Sequence, residues 1–252
     1  MVTSRLRACL ALACLLQVSA ACAGDEERVL ELSIAHEPGT PLSHVAEAYL
    51  ARLCAEIKMR CLLVNLPPRR SEAQLKEKTL DGEVGRIRAF AQQHPGFVLI
   101  SPPFFTIRVY AFTAAGAPTI DSWDEMARQA RTVSYKRGVF YFETKLEALR
   151  PTVHPHDVQD SAACLRMVLT GRDAACLIDD GHLGPDLKSL LQQGSLGRPL
   201  AELEMHIVLN ARNALLAPKM EAAASRLREH GIEHQLLRDY FTPNCALPPR
   251  EK

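Results

Sequence analysis

Short apolar runs suited to strands alternate with amphipathic stretches suited to helices, with proline- or glycine-bearing loops between them, along most of this 252-residue chain. That alternation restricts the fold to the α/β class. Parallel strands need a crossover between them, and a helix packed on the sheet supplies it. Residues 29–35 are the first apolar run, closed by the turn-rich Glu37-Pro38-Gly39-Thr40-Pro41. Over 42–57, Val45, Ala46, Tyr49, Leu50, Leu53 and Ile57 recur at three- and four-residue spacing, which predicts a half-buried helix. A second strand is expected over 61–66, and Pro67-Pro68-Arg69-Arg70-Ser71 is its exit loop. Ser71 is expected to cap a helix running to Leu80.

Two further strands are expected over 97–100 and 106–112, separated by Ser101-Pro102-Pro103. After residues 113–118, rich in Ala, Gly and Pro, the pattern restarts with a helix over 122–130, a strand over 132–135, a glycine turn and a helix over 141–149. A short strand over 152–154, an amphipathic helix over 157–169 ended by Gly171-Arg172, and an apolar strand over 174–178 leading to Asp179-Asp180 follow. Residues 204–209 return as a strand, and 218–240 read as helix with a break at Gly231. The restart suggests a second lobe. In such sheets ligands bind beyond the carboxyl ends of the strands, which singles out the loops 37–43, 67–71 and 81–86.

The segment Leu80-Asp81-Gly82-Glu83-Val84-Gly85-Arg86-Ile87 reads as a ligand-facing loop, followed by His94-Pro95-Gly96-Phe97-Val98-Leu99-Ile100 and the aromatic run 104–112 as an extended core. Two glycines flank an acid and a base, so the backbone can approach a ligand closely while a carboxylate and a guanidinium orient it. This segment resembles the bacterial extracytoplasmic solute-binding proteins of family 3, which often carry a Gly-Glu-x-x-Gly/Asp-x-x-Arg-like stretch with a strand and a crossover after it. The likeness runs from about residue 29 to 240, in order and in spacing. It implies a two-lobed, type II periplasmic binding protein-like fold, each lobe a mostly parallel sheet flanked by helices. Lobe 1 would comprise residues 24–112 and 205–252 and lobe 2 residues 113–204, with crossings near 110–118 and 183–204.

The N-terminus points to the same compartment. Arg5 and Arg7 form a basic start, 8–18 an apolar core, and Ala21-Cys22-Ala23 places small residues before a cut ahead of Gly24, so residues 1–23 read as a signal peptide. A lipoprotein signal ending at Cys22 is less favoured, because Ser19 stands where a large aliphatic residue is preferred. The remaining chain has no run approaching the roughly 20 apolar residues that span a bilayer. Its 28 basic residues, the 30 of the whole chain less Arg5 and Arg7, face 29 acids. Without a clustered basic excess, neither nucleic acid nor an anionic membrane surface is an expected partner. Of eight cysteines, Cys54, Cys61, Cys164, Cys176 and Cys245 lie beyond the signal. Cys54 with Cys61, and Cys164 with Cys176, would join neighbouring elements; either disulfides or small buried apolar groups fit, and Cys245 is left over.

The resemblance places a ligand in the cleft between lobes. Arg86 is the first candidate contact and Glu83 the second, against a mutual pair that merely fixes the loop. Arg69 and Arg70 follow, at a strand exit, against a surface basic pair. Many amino-acid binders of the family have an Arg-x-Gly-Ser/Thr-like stretch in the second lobe whose arginine grips the ligand α-carboxylate; here Tyr135-Lys136-Arg137-Gly138-Val139-Phe140 stands instead, and Lys136 or Arg137 could supply the charge. Tyr135 and Tyr141 are a possible stacking wall or simple packing. Asp179, directly after a strand, is placed to meet a cationic group or to cap the next helix. His36, at the end of the first strand, either faces the cleft or is a core or loop histidine.

The chain contains no G-x-S-x-G, G-x-x-x-x-G-K-S/T, G-x-G-x-x-G or H-E-x-x-H motif. His154-Pro155-His156-Asp157 reads as a proline-fixed loop without metal-ligand spacing, and no metal or cofactor is expected. The expected function is therefore a monomeric periplasmic protein that binds a small polar or charged, amino-acid-like solute, without catalysis, for ABC-type transport through a membrane permease. A ligand-sensing partner of a membrane receptor, or an enzyme on the same fold with Glu83 as general base, is the alternative.

Overall fold

The computed structural model of the protein describes residues 28–247. The signal-peptide and lipoprotein readings fall on residues 1–23 and lie outside the described residues. Ten strands form: β1 (Val29–Ile34), β2 (Arg60–Asn65), β3 (Gly82–Arg86), β4 (Phe97–Leu99), β5 (Phe105–Ala114), β6 (Thr132–Lys136), β7 (His154–Val158), β8 (Ala175–Asp179), β9 (Gly194–Leu196) and β10 (Ala201–Asn210). Among them run the helices α1 (Pro41–Glu56), α2 (Pro68–Lys76), α3 (Arg88–Gln93), α4 (Trp123–Gln129), α5 (Phe140–Ala148), α6 (Ser161–Leu169), α7 (Lys188–Leu191), α8 (Ala217–Glu229) and α9 (Ile232–Leu236).

The strands line up in the order β2-β1-β3-β10-β5-β8-β6-β7, with β4 added on β10 and β9 on β5. Within each set of strand-helix-strand units the strands are parallel: β1 with β2 and β3, and β6 with β7 and β8. The long strands β5 and β10 join the two sets by antiparallel pairing. Residues 201–205 of β10 pair with β5, and residues 206–210 pair with β3 and β4. The chain is thus an α/β protein of two halves.

Each half has its own apolar interior. In the first, α1 buries Leu42, Val45, Ala46, Tyr49, Leu50 and Leu53, the face its spacing predicts, against β1 and the C-terminal helices through residues such as Leu32, Met220 and Leu227. In the second, β5 alternates its side chains between two cores. Val109 and Ala111 pack with Phe142 and Leu177, whereas Phe112 packs with Leu165 and Ile178 on the opposite face. Disulfides staple both halves, Cys54 to Cys61 between α1 and β2, and Cys164 to Cys176 between α6 and β8. The Cys245 thiol lies 3.7 Å from the Asp180 carbonyl oxygen.

Several local expectations need correction. Ser71 is not an N-cap: α2 begins at Pro68, where a proline in the first turn sacrifices no hydrogen bond. Ser71 sits inside that helix, fully buried, with its hydroxyl 2.6 Å from that of Ser33. The 81–86 stretch is not a loop but the strand β3, paired on both sides. The proline-fixed loop at His154 to Asp157 is also a strand, on the sheet edge beyond β6, where the missing N–H of Pro155 is tolerated. Its presence delays α6 to Ser161, capped by Asp160, whose carboxylate accepts from the Ala163 N–H at 2.7 Å.

Candidate functional site

In a regular strand, residues three apart face opposite sides, yet Glu83 and Arg86 meet. The register explains this. Val84 opposes Ile207 and Arg86 opposes His206, so Gly85 is an extra residue bulged out of β3. Its φ of +95° is a conformation that side chains other than hydrogen rarely adopt. The bulge turns Arg86 onto the side of Glu83, and Arg86 Nε lies 2.9 Å from Glu83 Oε2. Both side chains are buried, Glu83 completely, and the guanidinium stacks 4.0 Å from the centre of the Phe90 ring. Gly82 serves a different end, since a Cβ there would sit 2.5 Å from the Val208 carbonyl oxygen. Its close approach is to strand β10 and not to a ligand.

Arg86 ends β3, Lys136 ends β6, Asp179 ends β8, and His36 lies just past β1. All four therefore collect at the carboxyl ends of parallel strands. Arg86, Asp179 and His36, together with Glu83 and His182, line a small cleft between the halves, with Ile107, Leu203 and Met205 of the joining strands among the apolar groups around it. The cleft holds about 60 Å³ of free space, enough to admit water.

Contacts across the cleft hold it nearly shut. Lys136 Nζ reaches Glu37 Oε1 at 2.5 Å and the Ala35 carbonyl oxygen at 3.5 Å. His36 stacks on His182 with ring centroids 3.9 Å apart. Phe90 meets Phe140 edge-on at 5.5 Å, and at the rim Arg69 pairs with Glu143 at 3.1 Å. Gly138, at φ +80°, lets the loop before α5 come against Pro68, where a Cβ would stand 2.9 Å from the proline ring carbon.

The electrostatics follow from burial. Burial pushes the Glu83 carboxyl above the usual carboxylate range, and neighbouring Arg86 only partly opposes it. Asp179 is raised for the same reason, against the pull of His36 and Lys136. Burial holds His36 and His182 well below the ordinary histidine value, so both are neutral near pH 7. Glu37 is also penalised by burial, but His182 and Lys136 outweigh this and lower it. Each cation thus has its own acid, Arg86 with Glu83 and Lys136 with Glu37. Asp179 has no ion pair with a lysine or arginine; it accepts from the His182 backbone N–H at 3.2 Å and lies 2.8 Å from His182 Nδ1.

Of the residues singled out from the sequence, Glu83, Arg86, Asp179 and His36 are buried together at this cleft, and Lys136 is buried beside it, outside its lining. Arg69, Arg70 and Arg137 are exposed and outside its lining. Arg69 bridges the rim, and Arg137 pairs with Asp157. Tyr141 lines the cleft, while Tyr135 does not. The sequence reading missed Phe90, Phe140, His182 and Glu37. His182 had a signal in Asp179-Asp180-Gly181-His182, where a turn of three residues returns the ring to the acid. Among the described residues no helix is long and apolar enough to cross a membrane.

No protein-family model matches the sequence, and a search of curated proteins finds no significant match. Solved structures do match the fold. The GluR0 ligand-binding core from Nostoc punctiforme in complex with L-glutamate superposes with a TM-score of 0.69 at 18% identity, covering 85% of this chain and all of that one (100%). The substrate-binding protein of an amino acid ABC transporter gives 0.66 at 12% identity over 85% of this chain and 100% of the other. An ancestral amino-acid-binding protein, a precursor of cyclohexadienyl dehydratase, gives 0.67 at 12% identity over 84% and 95%. At these identities the likeness is one of fold, and the chain has the two-lobed α/β fold of periplasmic binding proteins.

Proposed function

We propose that this protein binds a small polar or charged, amino-acid-like solute between its two lobes, without catalysis, and hands it to a membrane partner. One observation carries the reading: five ionisable side chains, His36, Glu83, Arg86, Asp179 and His182, drawn from both halves, are buried together at a cleft nearly closed by contacts between the halves. Burying that many ionisable groups is costly, and a cleft that exchanges their partners for a solute accounts for it. Asp179, the acid with no cation of its own, suits an ammonium group. Lys136 and Arg86, each able to exchange its acid for a ligand anion, suit a carboxylate. The apolar rings of Phe90 and Phe140 would cover the rest of the solute.

In this proposal the lobes are residues 24–112 with 205–252, and residues 113–204, and they hinge about β5 and β10 as binding proteins close on solutes. The protein works as a monomer in the periplasm, exported by the signal at residues 1–23, and its partner is an ABC-type permease or a membrane receptor. The two disulfides support an oxidising compartment, and the amino-acid-binding proteins that share the fold support the solute class. The contacts we assign are Arg86, Glu83, Lys136, Asp179 and His36, with Arg69, Arg70 and Arg137 at most guiding solutes at the rim.

A second reading, an enzyme on the same fold, rests on Glu83. A buried acid with a raised pKa at a cleft wall is the kind of group that serves as a general base, and one protein of this fold is a dehydratase precursor. Thermal-shift measurements against amino acids, polyamines, small carboxylates and sugars decide. A solute at 100 times its dissociation constant adds about 2.7 kcal/mol of stability. The binder reading expects such a shift, loss of it in Arg86→Lys and Asp179→Asn, and solute recovered unchanged after incubation. A shift accompanied by conversion of the solute would favour the enzyme, and a silent panel would contradict both.

A further inference from the structure

The least explained group in the cleft wall is His36. It is 5% exposed, and neither of its ring nitrogens has a hydrogen-bond partner, whereas buried polar groups are overwhelmingly paired. Its neighbour His182 differs in one respect. Both Asp179 oxygens lie close to His182 Nδ1, at 2.9 and 2.8 Å, so nitrogen and carboxylate face each other across a shared proton that a bound cation would displace. One donor atom from each of His36, Asp179 and His182 lies within 4.8 Å of the others.

We propose that His36, His182 and Asp179 form a site for a divalent transition-metal cation of the zinc, cobalt or nickel kind, bridging the two halves of the molecule. Two imidazoles and a carboxylate are the donor set of these borderline ions, while calcium and magnesium prefer all-oxygen sites. The ligand atoms of a tetrahedral zinc site stand about 3.3 Å apart, as follows from its bond lengths, so the donors, within 4.8 Å of one another, close by rotation of the His36 ring out of its stack on His182. No hydrogen bond on the ring nitrogens resists that rotation. Lys136 and Arg86 oppose a nearby cation, and each stands beside an acid of its own, Glu37 and Glu83. Because His36 follows β1 and the other two ligands end or follow β8, bound metal favours the closed arrangement. The site goes beyond the solute-binding reading and does not depend on it.

The test is cobalt and zinc binding by the purified protein after treatment with a chelator. Cobalt should develop the visible absorption of a low-coordinate site with nitrogen ligands and saturate at one ion per chain. Zinc affinity, followed by competition against a chromophoric chelator, should fall at least tenfold in each of His36→Gln, His182→Gln and Asp179→Asn. The double variant His154→Gln/His156→Gln, on the exposed edge strand, should bind as the unmodified protein does. The cobalt spectrum of the unmodified protein carries the test even if a substitution prevents folding. The proposal is overturned if the folded protein gives no cobalt spectrum, if binding survives in both His36→Gln and His182→Gln, or if it vanishes in the edge-strand variant. Running the solute panel separately in excess chelator makes the two readings stand or fall on different measurements.

Discussion

Replacing Arg86 by alanine isolates the physics of the cleft. Glu83 is completely buried, and its nearest cation is the Arg86 guanidinium at 2.9 Å. Deleting one partner of a buried ion pair costs about 3–5 kcal/mol, because the other charge is left without compensation. At about 2–4 °C per kcal/mol for a chain of this size, the melting temperature should drop by roughly 6–20 °C near pH 7. The loss must depend on pH with a definite sign. The Glu83 pKa is already raised by burial, and without Arg86 it rises further. An acid with a raised folded-state pKa contributes stability below its unfolded value, lost as pH rises through the folded one. Arg86→Ala should therefore approach the parent protein in acid and diverge from it toward neutral pH. Urea unfolding of Arg86→Ala, Glu83→Gln and Glu83→Gln/Arg86→Met at several pH values gives the assay. The double variant, which removes both charges, should recover most of the loss. An Arg86→Ala protein within about 1 kcal/mol of the parent at pH 7, or a double variant less stable than the single, would refute the reasoning.

Gly85→Ala should cost about 1–2 kcal/mol from backbone strain alone, since a Cβ there meets nothing closer than 3.7 Å; an isoenergetic variant in urea unfolding would remove the bulge argument. Asp81 accepts from the Glu31 N–H at 3.0 Å, Asn213 at 2.8 Å and Arg212 at 3.0 Å, and these outweigh burial to hold its carboxyl below the usual range. A lowered folded-state pKa gives stability that is present above the unfolded value near 4 and lost as pH falls below it. Asp81→Asn should thus cost about 1.5–3 kcal/mol at neutral pH, with the gap to the parent closing in acid, as thermal melts across pH 3–7 would read. Removing the Cys164–Cys176 bridge, which spans a separation of 12 residues, should cost about 3 kcal/mol in the chain-entropy view, and an unchanged melting temperature for Cys164→Ser/Cys176→Ser would argue against it.

The strand and helix alternation was legible in the sequence because it rests on local periodicity: the buried face of α1 is the one its apolar spacing marks. Pairing geometry was not. The stretch at Gly82 to Arg86 has two glycines and two charges in five residues, so local propensity favours a loop, yet pairing with β1 and β10 makes it a strand. The glycines that suggested a flexible approach to ligand are there because one has no room for a side chain and the other carries a bulge. Candidate residues at strand ends, Arg86, Lys136, Asp179 and His36, were reachable from the rule that ligands gather there. That Lys136 and not Arg137 turns inward, and that neither Arg69 nor Arg70 does, depends on the exact end of β6 and the start of α2, where sequence periodicity is least informative. Phe90 with Phe140, and Glu37 with Lys136, meet only across the two halves, long-range contacts with no local signature.

The central claim is that a solute sits between the lobes, held by side chains from both. A crystal structure with the solute that gives the largest thermal shift tests this directly. The account predicts the solute between Phe90 and Phe140, with polar atoms within hydrogen-bond distance of Asp179 or Lys136 on one side and Arg86 or Glu83 on the other. A solute bound elsewhere, or in contact with one half alone, would contradict it.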